Sequence, residues 1–362
     1  MQVKRLYFID AVRAFAILMM LQGHFIDTLL SPAFRDESNA IYYVWKYFRG
    51  ITAPVFFTIS GLVFTYLLLR AYAKGNDQSR IKKGIFRGLL LLGIGYSLRI
   101  NILSWLTGYF SAYVLVIDVL QCIGLALILM VGLHLLFRKH TYIYSIVLFA
   151  IGCIIFVTEP LYRNLALDHV PAVFANYMTK SNGSVFTILP WFGYSAFGAF
   201  LSTVFFRHAH RNRFKVFSIV CFYIVGLMFM FWSTPLLFWL HEVTGVELFQ
   251  RSGDFNYLFL RLGNVLILFA LFYTFERFLK QSIIARIGEK TLSIYVIHFI
   301  LLYGSYTGYG LKRFFNQALD PYEAAIGAIL FMIVVCIISF HYAKTNHFVY
   351  SLFQRISGWF KK

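Results

Sequence analysis

The sequence predicts an all-α membrane protein, a polytopic bundle of about ten transmembrane helices with both termini in the cytoplasm. Of the 362 residues, 60% are hydrophobic and only 13% are charged, whereas soluble globular chains carry about 25% charged residues. The mean hydropathy of +0.70 agrees with this and excludes a soluble enzyme or a disordered chain. The hydrophobic residues also fall in long runs, most of them near the roughly 20 residues that a spanning helix needs.

Ten apolar runs account for the predicted helices. They lie at about residues 10–30, 47–69, 85–107, 113–137, 141–158, 185–206, 214–234, 257–278, 288–309 and 322–343. We interpret the first run as a retained span rather than a signal peptide, because it is long and contains His24 and Asp27. Without an internal repeat or a long linker, residues 1–344 are predicted to form a single membrane domain. Residues 345–362 mix apolar and basic residues and are predicted to be a basic amphipathic cytoplasmic tail.

The net charge of +18 is explained by orientation in a bilayer rather than by nucleic-acid binding. With the N-terminus in the cytoplasm, the inside segments hold 22 Lys and Arg and the outside loops hold 8. This asymmetry follows the positive-inside rule, so we expect a lipid bilayer and no nucleic acid among the partners. The four cysteines lie in apolar runs at no metal-type spacing, so no metal site is predicted.

The first run carries the polar residues that point to a functional site, since an ionisable side chain inside a span is costly. Asp10 and Arg13 lie one turn apart and can form an ion pair. Arg13 and His24 are eleven residues apart, about 16 Å along a helix, and project from nearly the same face. Asp27 lies one turn after His24, where its carboxylate can orient the imidazole. The alternative is that Arg13 snorkels to the surface and His24 only bridges helices.

Four later residues are candidates for substrate binding, each with a structural alternative. Arg99 can hold a substrate anion or pair with Asp118. Gln121 can donate a hydrogen bond to a developing oxyanion or bridge helices. Trp191 can stack on a sugar or belong to an interfacial aromatic belt. His298 lies in the middle of the ninth run and can line the site of His24 or serve packing alone.

Five segments resemble the transmembrane acyltransferase superfamily, in order along the chain. They are residues 9–17 (IDAVRAFAI) with His24, residues 53–61 (APVFFTISG), residues 119–125 (VLQCIGL), residues 189–193 (LPWFG) with Gly198, and residues 287–298 (IGEKTLSIYVIH). The first, second and fifth are similar to motifs found across the superfamily. The third and fourth resemble the heparan-α-glucosaminide N-acetyltransferase branch.

The resemblance implies a general base. At the position of His24, however, the chain differs from the heparan-type enzymes. Those enzymes usually have Asn where this chain has His24, and their catalytic His lies further on, before the second span. This chain has no His between His24 and His134. The acyltransferase-3 type has His at the matching position, so His24 is the predicted base, with Arg13 and Asp27 in the catalytic group. The ordinary pKa of histidine, near 6.5, suits this role.

The resemblance also implies the reaction. Members of the superfamily transfer an acyl group, commonly acetyl, from cytosolic acyl-CoA to a sugar or lipid-linked acceptor. We therefore expect an O- or N-acetyltransferase that modifies cell-envelope glycans. Acyl-CoA is then a donor substrate, and no cofactor is expected to be bound permanently. Because CoA is strongly anionic, Arg13 and Arg87 are the expected donor contacts, with Asp10 beside Arg13. A multi-pass protein of the bacterial cytoplasmic membrane is the expected setting.

Two other functions remain open at this point. Arginines inside the membrane also suit a transporter for a small anion or metabolite, although the sequence has no inverted repeat and no matched pair of broken helices. A catalytically inactive relative that only binds or scaffolds is the other. The sequence names neither the acceptor nor the acyl group, since acetyl and a longer acyl group such as succinyl are equally compatible with it.

Overall fold

The computed structural model describes residues 6–359, with side chains described for residues 6–341. In this part of the chain every regular element is a helix and no β-strand occurs, which confirms the all-α prediction. The α-helices of the described residues are α1 (Tyr7–Leu29), α2 (Ala40–Arg49), α3 (Thr52–Ala73), α4 (Asp77–Ser97), α5 (Ile102–Leu106), α6 (Val119–Phe137), α7 (Thr141–Val157), α8 (Glu159–Tyr162), α9 (Ala172–Met178), α10 (Ile188–His208), α11 (Phe214–Phe231), α12 (Ser233–Thr244), α13 (Glu247–Asp254), α14 (Tyr257–Thr274), α15 (Ser282–Glu289), α16 (Thr291–Tyr303), α17 (Leu311–Phe315) and α18 (Pro321–Trp359).

Seven stretches of the described residues are helical, long and apolar enough to cross a membrane. They are α1, α2 with α3, α6 with the turn before it, α10, α11, α14 and the first half of α18. Helices α7 and α16 are apolar but shorter. Helix α4 is not among the seven because its first half carries a basic cluster, Arg80, Lys82, Lys83 and Arg87. Each of the ten predicted runs therefore holds a helix, while the count of ten spans and their orientation stay predictions.

Several helix ends differ from the predicted runs for local reasons. Helix α4, in the third run, begins at Asp77 and ends at Ser97, so Arg99 follows this helix and does not lie within it as the run 85–107 predicted. Helix α6 begins only after Asp118, whose side chain forms a reciprocal capping box with Gln121. The second run is broken at Gly50, where a Cβ would lie 2.7 Å from the Arg261 guanidinium. The sequence also missed the short helices between the runs, among them α12 and α13.

The chain divides into two compact units. The first comprises residues 1–49, 101–107 and 280–362, and the second comprises residues 50–100 and 108–279. That residues 1–344 act as a single membrane domain stays a prediction. The predicted tail, residues 345–362, lies outside the described side chains, although α18 continues through its backbone as far as Trp359.

In the first unit, α15, α16 and α18 pack against α1. A Cβ on Gly288 of α15 would lie 2.4 Å from the carbonyl oxygen of Asp10, so this end of α1 is in backbone contact with α15. At the other end of α1, Ser31 donates its N–H to the Leu319 carbonyl at 2.9 Å. Both ends of α1 are therefore held by elements from the far end of the sequence, which fixes the helix that carries the polar face.

In the second unit, glycines bring helix backbones into direct contact. A Cβ on Gly61 of α3 would lie 1.9 Å from the Ser195 carbonyl oxygen on α10, and one on Gly198 would lie 1.8 Å from the Thr58 carbonyl oxygen. Small residues of this kind let membrane helices approach closely and pack. The same arrangement joins α4 to α6 and α11 to α14, through Gly88, Gly124, Gly226 and Gly263. Glycines within the motifs that suggested the superfamily therefore serve helix packing.

The predicted orientation can be tested by cysteine labelling at two exposed loop positions of the second unit. Gly75 has a φ of +69°, which favours glycine, so its exposed neighbour Lys74 is the better position. In a background without the native cysteines, we expect Lys74→Cys to react only from the cytoplasmic side and Ser181→Cys only from the outside. Reaction of both positions from the same side of sealed vesicles would contradict the predicted orientation.

Candidate active site

The first half of α1 carries an arginine that is fixed to α16. Arg13 Nη1 lies 3.9 Å from Asp10 Oδ1, one turn earlier on the same helix. Its Nη2 donates a hydrogen bond to Thr291 Oγ1 at 3.2 Å, and Thr291 is the first residue of α16. The Asp10–Arg13 pair that the sequence predicted is present. The guanidinium remains partly exposed, with 21% of its side chain accessible, so it can still contact a further anionic group.

The second half of α1 carries His24, and its hydrogen-bond partner comes from the end of α16. The Nδ1 atom of His24 lies 2.9 Å from the hydroxyl oxygen of Tyr303. Thr28, one turn further along α1, donates a weaker hydrogen bond to the same hydroxyl at 3.5 Å. The histidine is half-buried, so one part of its ring can be reached while Tyr303 holds the other. Tyr303 therefore orients the imidazole.

Asp27, one turn after His24 on α1, has a charged partner on α2. The Asp27 carboxylate forms an ion pair with Arg49 of α2, and the partner of His24 Nδ1 is Tyr303 rather than this carboxylate. Arg35 also donates to the backbone carbonyl of Asp27, at 2.9 Å. Because Arg49 supplies the opposite charge, Asp27 takes part in a charge pair beside the imidazole.

Helix α2 is attached to α1 at two points, and this explains how Arg49 reaches Asp27. Trp45 donates its indole N–H to Gln22 Oε1 at 2.6 Å. Gly23 leaves room for the arginine stem, since a Cβ there would lie 3.3 Å from Arg49 Cγ. The chain between α1 and α2 therefore folds back onto the second half of α1 and covers the side that carries Asp27.

His298 lies next to His24. The two ring centroids are 5.2 Å apart and the rings are perpendicular, at 89°. His298 is fully buried, and its neighbours on α16 are Tyr295 and Phe299, at centroid distances of 4.9 and 5.1 Å. The first unit thus brings together Asp10, Arg13, His24, Asp27 and His298, the five predicted site residues that belong to it.

The other four predicted site residues belong to the second unit. Arg99 Nη2 donates to Asp118 Oδ2 at 2.8 Å, so the predicted pair is present. The guanidinium carbon also lies 4.5 Å from the centroid of the Tyr113 ring. Gln121 is fully buried, and its Oε1 accepts the backbone N–H of Asp118 at 3.2 Å, which caps α6. Arg99 Nε and Nη1 and Gln121 Nε2 are buried without a hydrogen-bond partner among the described residues.

Trp191 and Arg87 lie in different surroundings. Trp191 belongs to an aromatic cluster with Phe57, Phe186 and Tyr194, at centroid distances of 4.8 to 5.8 Å. Arg87 is exposed on α4, in the basic cluster of that helix. Among the described residues, no group of three or more His, Cys, Asp or Glu side chains is arranged to hold a metal ion.

Sequence reasoning missed three residues of the first unit, Tyr303, Arg49 and Thr291. Tyr303 is separated by 279 residues from His24 and Thr291 by 278 from Arg13, so no local spacing connects them. Arg49 entered the sequence argument only as one of the basic residues of an outside loop. The positive charge of Arg49 was the one available signal, and the sequence analysis interpreted it as part of the orientation in the membrane.

The all-helical fold and its apolar helices define the class of the chain, a multi-pass helical membrane protein. Comparison with protein families then identifies the chain. Residues 5–243 match the family described as heparan-α-glucosaminide N-acetyltransferase, catalytic, and the chain belongs to that family. The match covers α1 to α11 and nearly all of α12, and membership supports a membrane acetyltransferase. A search of curated proteins finds no match.

Proposed function

We propose that this protein transfers an acyl group, usually acetyl, from cytosolic acyl-CoA to an extracytoplasmic or lipid-linked glycan acceptor, with His24 as the general base. The observation that carries the proposal is the hydrogen bond between His24 Nδ1 and the Tyr303 hydroxyl, 2.9 Å long, on a half-buried histidine of α1. A base held by a second group in this way is typical of an activated catalytic histidine. The family match supports acetyl as the acyl group.

The reaction begins with the acceptor, which brings an amine or a hydroxyl. His24 removes the proton from the amine or hydroxyl of the acceptor as the lone pair of that acceptor group attacks the thioester carbonyl carbon of acyl-CoA. The tetrahedral intermediate then expels the CoA thiolate, which takes up the proton held by His24, so that protons and charges balance. In this role Nδ1 stays protonated and donates a hydrogen bond to the Tyr303 oxygen, while Nε2 takes up and releases the substrate proton.

The donor is proposed to bind along α1 towards Arg13. The phosphates of CoA are strongly anionic, and a partly exposed guanidinium with a planar fork suits them. Asp10 and Thr291 hold Arg13 in place. Because Arg13 and His24 are about 16 Å apart along the helix, the nucleotide end and the thioester of one donor molecule can be at the two positions.

The charge pair of Asp27 and Arg49 is proposed to keep the surroundings of His24 polar and close to neutral. Removal of either partner would leave one charge near the imidazole unbalanced. Arg99, as the holder of a substrate anion, and Gln121, as a hydrogen-bond donor, remain proposed substrate contacts, since their buried N–H groups lack partners among the described residues. Trp191 is proposed as a surface on which the sugar stacks. The bacterial cytoplasmic membrane is the proposed location.

Mass spectrometry of cell-envelope glycans tests the function as a whole. We expect glycans from cells with the gene to carry an acyl group that is absent from cells without it. The gene for the His24→Gln variant should fail to restore that group although the protein reaches the membrane. Glycans that are identical with and without the gene would contradict the proposal and favour a transporter of a small anion or metabolite.

Substitution of Arg13 tests donor binding. We expect Arg13→Ala to weaken acyl-CoA binding about 10- to 100-fold, because hydrogen bonds to charged groups contribute about 1.5–3 kcal/mol. Arg13→Lys should recover only part of the affinity, since an ammonium cannot reproduce the two-pronged contact. The affinity can be measured by titration of purified protein with acetyl-CoA.

The matched control for this experiment is Arg277→Ala, which removes an equal charge from an exposed residue on the same predicted side of the membrane. Its affinity for acetyl-CoA should stay within about twofold of the wild type, because an exposed charge is screened by solvent and salt. Unchanged affinity in Arg13→Ala, or an equal loss in both variants, would mean that Arg13 only snorkels.

A further inference from the structure

His298 is a buried imidazole whose polar atoms are not used by the fold. The side chain has no accessible surface, and neither ring nitrogen has a hydrogen-bond partner of good geometry among the described residues. The backbone carbonyls near the ring are those of Ile294 and Tyr295, one turn earlier on α16. These carbonyls are already acceptors within the helix. Since buried polar groups are ordinarily paired, this donor and acceptor are available to a substrate group that comes to lie against the ring.

The place of His298 suggests what that partner is. Its ring is 5.2 Å from the ring of His24, centroid to centroid, and perpendicular to it. A thioester whose carbonyl oxygen contacts His298, while the attacking acceptor group contacts His24, fits such a spacing, because the reacting carbonyl must lie about 3 Å from both the nucleophile and the oxyanion donor. The rings of Tyr295 and Tyr303 also lie beside His298, with centroids 4.9 and 6.3 Å away.

The two histidines differ in surroundings, and this separates their roles. His24 is half-buried and bonded to a hydroxyl, so it can accept and release a proton. His298 is fully enclosed by aromatic rings, where a positive charge is costly, so it stays neutral and offers an N–H. Pairs of titratable groups in contrasting environments commonly divide catalytic work in this way.

We propose that His298 donates the hydrogen bond that stabilises the oxyanion of the tetrahedral intermediate. This inference rests on the proposed function and adds a second catalytic residue to the same site. When the acceptor attacks the thioester carbon, the carbonyl π electrons move to oxygen, and the His298 N–H binds the oxygen as its charge grows. The N–H bond is not broken, and the electrons return to the C–O bond when the CoA thiolate leaves.

The test compares two CoA analogues and needs no acceptor. Acetonyl-CoA is a stable ketone in place of the thioester, whereas trifluoroacetonyl-CoA forms a tetrahedral hydrate that resembles the intermediate. Because analogues of the transition state bind about 10² times tighter or more, we expect wild-type protein to prefer the trifluoroketone clearly. The His298→Phe variant should lose at least tenfold of this preference and keep its affinity for acetonyl-CoA within about twofold.

His298→Gln and His134→Phe complete the set of variants. The amide N–H of glutamine should restore part of the preference, which a purely structural role would not predict. His134 is a matched control, since it is also fully buried with both ring nitrogens unpaired among the described residues, and it lies in the second unit. His134→Phe should leave the preference unchanged. If His298→Phe does not fold, the comparison of His298→Gln with His298→Met decides in the same way.

The outcomes separate this inference from the proposed function. If wild-type protein binds acetonyl-CoA but shows no preference for the trifluoroketone, or if His298→Phe keeps the preference, the role of His298 is wrong and the donor site stands. If wild-type protein binds neither analogue, the proposed function fails and the inference with it. A turnover assay adds one check, in which His298→Phe should lower kcat about 10²- to 10³-fold and keep the pH dependence that His24 sets.

Discussion

His24→Gln is expected to lower the turnover of acyl transfer by about 10²- to 10⁴-fold, the range that general-base assistance contributes. The glutamine side chain keeps a polar contact with Tyr303 but cannot take a proton from the acceptor. Donor affinity should stay within about twofold, because the nucleotide end of CoA is proposed to bind about 16 Å away, at Arg13. Rates of CoA release in the presence of acceptor, measured with purified protein, give both quantities.

The pH dependence of the same reaction adds an independent readout. The wild-type rate should rise with pH through the range in which histidine loses its proton, since only the neutral imidazole can act as a base. This rise should be absent from the residual activity of His24→Gln. His140→Gln, an exposed histidine at the start of α7, is the control and should behave like the wild type. Near-normal transfer by His24→Gln would remove His24 from the mechanism, and His298 would be the next residue to substitute.

Gly198→Ala is expected to destabilise the second unit more than any other alanine substitution proposed here. A Cβ at this position would lie 1.8 Å from the Thr58 carbonyl oxygen, and the obstacle is backbone rather than a flexible side chain. Helices α3 and α10 would have to separate by more than 1 Å to accept it. Overpacking of this kind costs about 1–3 kcal/mol and sometimes more, so the midpoint of thermal unfolding in detergent should fall clearly.

The control is Gly132→Ala on α6, where a Cβ would meet no atom within 4 Å. Alanine is favoured over glycine by about 0.5–1 kcal/mol inside a helix, so this variant should melt at or above the wild-type temperature. If Gly198→Ala and Gly132→Ala unfold at the same temperature, the close contact between α3 and α10 is not a determinant of stability.

The helices could be predicted because the hydropathy of a segment is a local property. Their ends could not be predicted where contacts of individual side chains determine them. Each apolar run holds a helix, yet α6 begins where Asp118 and Gln121 cap it, and α2 separates from α3 at Gly50 beside Arg261. Arg99 likewise lies after the end of α4, which stops at Ser97. Such boundaries depend on contacts that a hydropathy average does not record.

Only those contacts of the candidate site that lie within one helix could be predicted from the sequence. The Asp10–Arg13 pair follows from the spacing along α1 and is present. The partner of His24 was not predictable, because Tyr303 comes from α16, and only the packing of α16 on α1 brings the two together. Asp27 shows the same limit, since no spacing along α1 indicated its ion pair with Arg49 of α2.

The most direct test of the account places donor and acceptor on opposite sides of a membrane. Purified protein is reconstituted into vesicles that contain isotope-labelled acetyl-CoA, and cell-envelope glycans from cells without the gene are added outside. We expect label in the outer glycans with wild-type protein, and a rate at least 10²-fold lower with His24→Gln. No label in the glycans, or equal labelling by wild type and His24→Gln, would contradict transfer by a histidine base on the first helix.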